Sequence, residues 1–184
     1  MPKTKERTKS YRTYSNLIGE IAWHKFGTLI SPTIIDYLYK DVCNIFELIE
    51  EDNKKYVDED DKSYEICLVM CRNVIEGCIV LGFSFDKDIN RKMEERIKKG
   101  RHIDWHFIEE NLDGLISKNE PLMRDMKEIK NKGDISAHTM IRMVVNQNFY
   151  IKGRNVKHLI IITGKALVEI LNRIHNKYGT QKGW

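Results

Sequence analysis

Residues 62–81, KSYEICLVMCRNVIEGCIVL, are apolar nearly all the way round when they are placed on a helix. A helix that is hydrophobic on every side is normally buried at the centre of a bundle. Within its apolar part, residues 66–81, two charged residues stand at the i, i+4 spacing of a helical ion pair, Arg72 and Glu76. We therefore predict an all-α bundle that is built around this segment.

The segments on both sides of this stretch also repeat their apolar residues at a period near 3.6, and the chain has only three prolines. Capping residues and helix-breaking residues separate these segments. The expected helix starts are near Tyr14, Ser31-Pro32, Lys62, Asp86, Asp104, Glu120-Pro121 and Val156. The sequence thus predicts a single domain over residues 14–180 with about six to seven helices.

The basic charge of the chain is concentrated at its N-terminus. Residues 1–15 carry five Lys and Arg residues against Glu6 alone, which accounts for the whole net charge of +4. We predict that residues 1–13 form a flexible, disordered basic tail, because short polar termini rarely fold. The folded part then has no overall basic field, which argues against a strong nucleic-acid binder.

The hydrophobic stretches indicate where the protein is located. No uninterrupted apolar run approaches the roughly 18–20 residues that a membrane span needs, and the N-terminus lacks the apolar region of a secretory signal. We therefore expect a cytoplasmic protein that makes no membrane contact.

Four cysteines could in principle bind a metal. Cys67, Cys71 and Cys78 fall on one helical stripe, and Cys43 lies far upstream, so the short-loop spacing of a zinc site is missing. Buried, reduced core thiols are the better interpretation in a cytosolic protein. A metal site on His102 and His106 is less favoured. We expect neither a metal nor a bound cofactor.

Residues 130–138, KNKGDISAH, form a second unusual stretch. We predict that Gly133 ends one helix and that Asp134 caps the next, which places His138 in the first turn near the positive end of the helix dipole. That position suits an anionic group such as a phosphodiester. Three flanking side chains would add donors: Lys130, Asn131 and Lys132. On residue types alone, a purely structural cap is favoured.

The presence of a charged pair in this apolar segment requires a structural or functional explanation. Removing one partner of a buried ion pair costs roughly 3–5 kcal/mol, because the other charge is left unpaired. Arg72 and Glu76 therefore either pair with another helix or belong to a polar site. The sequence leaves both possibilities open.

In the order of these parts, the chain resembles the HEPN superfamily of helical bundles, in particular a bacterial and archaeal branch named only as a domain of unknown function. The resemblance covers roughly Tyr37 to Tyr178. It consists of an Arg-x-x-x-Glu element, here Arg72 to Glu76, and a segment of the Arg/Lys-x-x-Gly-Asn-x-x-Ala-His type, here Lys130 to His138. A closing apolar helix follows.

Many HEPN proteins are metal-independent endoribonucleases of toxin–antitoxin, CRISPR and phage-defence systems. Their motif is an Arg, four to six residues, and then a His. The resemblance implies a homodimer whose two motifs share one RNA-cleaving cleft, with His138 in proton transfer and an Arg stabilising the phosphorane. Here Asn131, Lys132 and Gly133 occupy the positions for that Arg, and Asp134 replaces the usual Asn. Lys132 would substitute as a point charge.

The resemblance thus implies a HEPN-like dimeric module associated with RNA or with defence or toxin-type systems, which binds with weak or lost nuclease chemistry. One alternative is an active metal-independent endoribonuclease that uses His138, and another is a structural protein-interaction adaptor. The expected partners are a second copy, an RNA or nucleotide, and a protein. The candidate catalytic residues are His138 and Lys132, and the candidate binding residues are Asp134, Asn131, Lys130, Arg72 and Glu76.

Overall fold

The computed structural model describes residues 10–53, 64–137 and 153–179, and within these ranges the protein is all-α. The prediction of a bundle of about six to seven helices is confirmed. The helices are α1 Tyr11–Phe26, α2 Ile30–Asn53, α3 Tyr64–Ser84, α4 Lys87–Lys98, α5 Trp105–Asn111, α6 Pro121–Ala137 and α7 Gly153–Tyr178, with a 3₁₀ turn at Leu112–Gly114.

Helix α3 lies at the centre of the bundle, as its sequence predicts. It packs against α2, α6 and α7, and α1 packs across α2 and α7. The buried side of α3 includes Cys67, Leu68, Cys71, Val74, Ile75, Cys78 and Ile79. All four cysteines of the chain are buried and free of disulfide bonds, which confirms that they are core thiols.

Helix α3 is long enough and apolar enough to span a membrane. The sequence had led us to expect no stretch of this kind. The helix is 21 residues long, and 56% of its most apolar window is buried inside the bundle. The central helix of a bundle passes the same test, because burial among other helices demands the same apolar composition.

A local cap sets the start of α1, and a proline lies in the first turn of α2. The Ser10 hydroxyl accepts a hydrogen bond from the Thr13 amide at 3.2 Å, so α1 begins at Tyr11 rather than near Tyr14. Helix α2 begins at Ile30, and the predicted Ser31-Pro32 signal lies in its first turn. Residues 1–9, most of the predicted tail, lie outside the described ranges.

The predicted cap at Asp104 is confirmed. Its carboxylate accepts from the Phe107 amide at 2.8 Å and starts α5. This hydrogen bond, together with the Arg96 charge, lowers the pKa of the Asp104 carboxyl. Asp86 caps α4 in the same way.

The predicted helix break at Gly133 is wrong. Helix α6 continues through this residue to Ala137, and Gly133 is buried inside it. A Cβ at this position would lie 2.5 Å from the Arg72 Cβ and 3.0 Å from the Leu68 carbonyl oxygen. The glycine therefore allows α3 and α6 to approach closely, and no turn requires it.

Two further expectations change with the continuous helix. Asp134 lies in the last turn of α6, so it is not the N-cap of a new helix. No helix begins at Asp134, so this residue does not mark a positive dipole end that would attract an anion. His138 itself lies outside the described residues.

We predict that Gly133→Ala destabilises the protein by about 1–3 kcal/mol, because the new methyl group must displace α3 or α6. The matched control is Gly77→Ala on the outer side of α3, where a Cβ would meet only the Ile35 Cδ1 at 3.7 Å. That substitution should be neutral or stabilise by about 0.5–1 kcal/mol. Urea denaturation of both variants measures the difference, and equal stabilities would contradict the close packing at Gly133.

Candidate functional site

The two stretches that the sequence analysis singled out separately meet in the structure. Arg72 of α3 donates from Nη1 to the Asp134 Oδ1 of α6 at 2.8 Å. Arg72 also donates from Nε to the Glu76 Oε1 at 2.9 Å, and Lys130 Nζ lies 2.6 Å from the Asp134 Oδ2. We call these four residues, Arg72, Glu76, Lys130 and Asp134, the α3–α6 charge network.

Helix geometry explains why these residues come together. Arg72 and Glu76 are four residues apart on α3, and Lys130 and Asp134 are four residues apart on α6, so each pair shares one helix face. Gly133 lies beside the network and leaves room for the stem of Arg72. The glycine next to the aspartate therefore sets the distance at which the two pairs can join.

The charges of the network satisfy one another. It contains two cations and two carboxylates, and each side chain is between 21% and 27% exposed. Arg72 is engaged by two carboxylates at once, through Nε and Nη1, and these two charge-assisted contacts hold its guanidinium in place. The network therefore fixes the position of α6 on α3 and presents no net positive charge to a phosphate.

Asp134 depends on its cationic partners. It lies three residues before the end of α6, where the negative end of the helix dipole disfavours a carboxylate. Lys130 and Arg72 offset this repulsion. Asp134 is therefore an interhelical ion-pair partner and not the predicted helix cap.

The remaining candidate residues are not part of the network. Asn131 and Lys132 are exposed on the outer side of α6, and the structure brings neither of them to Arg72 or Asp134. His138 follows Ala137 in the chain but lies outside the described ranges. Of the predicted catalytic pair, His138 and Lys132, only Lys132 belongs to the described residues.

A neighbouring ion pair extends the same surface and was missed. Lys127 of α6 lies 3.1 Å from Glu109 of α5, one helical turn before Lys130. Partial burial opposes ionisation of Glu109, but the hydrogen bond from Lys127 and the nearby positive charges lower its pKa overall. No local pattern marks this pair, because its two members lie on different helices.

Among the described residues, the other polar groups form no metal or thiolate centre. In residues 10–53, 64–137 and 153–179, no three metal-binding side chains are grouped together. His106 pairs with Glu110 at 3.1 Å instead of joining His102 around a common point. Burial raises the pKa of Cys43, Cys67 and Cys71 to about 12, so these thiols are poor nucleophiles near neutral pH.

Comparisons of the chain with known protein families, with curated proteins and with solved structures found no match. The resemblance to the HEPN superfamily is therefore a resemblance of the two motifs and of their order in the sequence.

Proposed function

We propose that the protein is a dimeric helical module of the HEPN type that acts in the cytoplasm, in association with RNA or with a defence or toxin-type system, and binds its partner with weak or lost nuclease chemistry. One observation carries the proposal. The two motifs of the resemblance, which are distant in sequence, are joined through the contact between Arg72 and Asp134. A functional site assembled from both motifs requires such a contact.

Within this proposal, the α3–α6 charge network positions the RNA-binding surface. It anchors the last turn of α6, from which His138 follows four residues after Asp134. The exposed donors Asn131 and Lys132 lie on the same helix end and supply contacts to a phosphate backbone. Such contacts bind RNA without reading its sequence.

The ion pairs of Arg72 favour RNA binding over RNA cleavage. Cleavage without a metal needs a cation that is free to stabilise charge as it develops on the phosphorane. Arg72 is held by Glu76 and Asp134, and Lys132 lies apart from them. Losing one such donor typically costs about 10²–10³ in rate, so weak or absent turnover is expected.

An exposed apolar stripe supports the dimer. On the outer side of α2, large hydrophobic side chains repeat at the spacing of one helix face. This α2 stripe consists of Ile30, Ile34, Tyr37 and Leu38, and Leu48 lies further along the same face beyond the exposed Asp41 and Asn44. Ile30 is 74% exposed and Tyr37 is 61% exposed, which is unusual for a stripe of this length on a soluble monomer. A second copy can cover it through a two-fold symmetric contact of α2 with α2.

We predict that the purified protein binds single-stranded RNA and does not cleave it in the presence of EDTA. Fluorescence polarisation measures binding, and gel electrophoresis of labelled RNA measures cleavage. Lys132→Glu should weaken binding, because it reverses a charge at the proposed surface, whereas Lys118→Glu, at an exposed lysine between α5 and α6, should not.

The alternatives predict different results in the same assay. EDTA-resistant cleavage that disappears in His138→Ala would establish the endoribonuclease instead. An absence of RNA binding at low salt would contradict the proposal and favour the protein-interaction adaptor.

We predict that the wild-type protein is a dimer by size-exclusion chromatography with light scattering, and that Ile34→Glu/Tyr37→Glu is a monomer. Both side chains are largely exposed, so the substitutions should leave the helical signal and the folded core unchanged. Ile97→Glu on α4 is the control, because Ile97 is 62% exposed but lies outside the α2 stripe. A wild-type monomer, or a double variant that remains dimeric, would contradict the α2 interface.

A further inference from the structure

A cleft of about 380 Å³ opens between α4 and α5, separate from the α3–α6 charge network. We call it the α4–α5 cleft. Its lining residues are Lys92, Glu95, Arg96, Lys99, Arg101, Phe107, Glu110 and Asn111. Four of these eight side chains are cationic and two are carboxylates, so the lining has a positive excess in a chain whose folded part is otherwise balanced.

The turn after α4 brings Arg101 back to this cleft. Gly100 adopts a φ of +68°, a conformation that favours glycine, and the Arg101 amide donates to the Arg96 carbonyl at 3.0 Å. Lys99 and Arg101 therefore flank Arg96 at one end of the cleft. Part of this positive charge compensates the C-terminal end of α4, but Lys92 and Arg101 lie outside its last turn.

Arg96 forms the floor of the positive end. Its guanidinium lies 5.1 Å from the centre of the Phe107 ring and donates to the Asp104 carboxylate at 3.0 Å. Its Nε is buried and has no hydrogen-bond partner.

The exposed cations at the rim are free to engage a ligand. In the part of the chain that the structure describes, no ion pair involves Lys99 or Arg101, and Lys92 makes only a long contact of 3.4 Å with Asn111. Of the two lining carboxylates, Glu110 is turned to His106. Glu95 is the remaining carboxylate of the lining, and Asp104 already offsets the charge of Arg96.

We infer that the α4–α5 cleft binds the phosphate group of a ligand the size of a mononucleotide. Small-molecule sites commonly measure about 300–1,000 Å³, which includes this cleft. The Arg101 guanidinium beside the ammonium groups of Lys92 and Lys99 matches the charge and the several acceptor oxygens of a phosphate. The phosphate belongs either to a free nucleotide or to the backbone of an RNA, and the two sources share this chemistry.

The test is isothermal titration calorimetry of the full chain with AMP, with inorganic phosphate and with a short single-stranded RNA. Lys99→Glu/Arg101→Glu should raise the dissociation constant of the bound probe at least about tenfold, because two attractive charges become repulsive. The matched control, Lys87→Glu/Lys118→Glu, reverses two exposed lysines outside the cleft and should have little effect. All four residues are exposed, and circular dichroism checks that each variant is folded.

The probes separate the sources of the phosphate. Binding of AMP and inorganic phosphate that depends on the cleft residues supports a free nucleotide. Binding of RNA alone with the same dependence supports a backbone phosphate. If no probe binds, or if the cleft and control variants are equally affected, the inference is overturned. RNA binding that Lys132→Glu weakens and the cleft variant does not would overturn this inference and leave the proposed function standing, so the two failures are distinguishable.

Discussion

Helices α3 and α6 approach so closely at Gly133 that a side-chain atom there would occupy the volume of the Arg72 stem. The rest of the site depends on this contact. Because the helices are close, Arg72 reaches Asp134 across the gap while it keeps Glu76 on its own helix. A larger residue at position 133 would separate the two pairs. The contact thus connects a backbone requirement in α6 with a charged side chain in the most apolar helix.

The same contact explains why a charged pair is tolerated on α3. Two charges in an apolar helix are costly when they are buried alone. Here they lie at the edge of the helix, about three-quarters buried, and two partners from α6 complete the set. Such an arrangement specifies how two helices align. Because Arg72 is paired with two carboxylates, it is a poor catalytic cation. The proposed function is accordingly RNA binding with weak or lost nuclease activity.

Much of the fold could be predicted from local sequence, because local interactions determine it. The continuous apolar surface of residues 62–81 predicts a central helix, and the cap at Asp104 is a contact between residues three positions apart. Gly133 was misinterpreted because a glycine serves both at turns and at close helix contacts, and only the partner helix distinguishes them. The ion pairs of Asp134 with Arg72 and of Lys127 with Glu109 were invisible for the same reason.

A double-mutant cycle on Arg72 and Asp134 tests the central contact most directly. Urea denaturation of Arg72→Met, Asp134→Asn and the double variant should give a coupling free energy of about 1–2 kcal/mol, since both partners are partly buried. The same cycle on Arg91 and Asp88, which are 3.5 Å apart and 70% and 83% exposed, should give a value near zero. Additive effects at Arg72 and Asp134, within about 0.3 kcal/mol, would show that the two motifs are not joined.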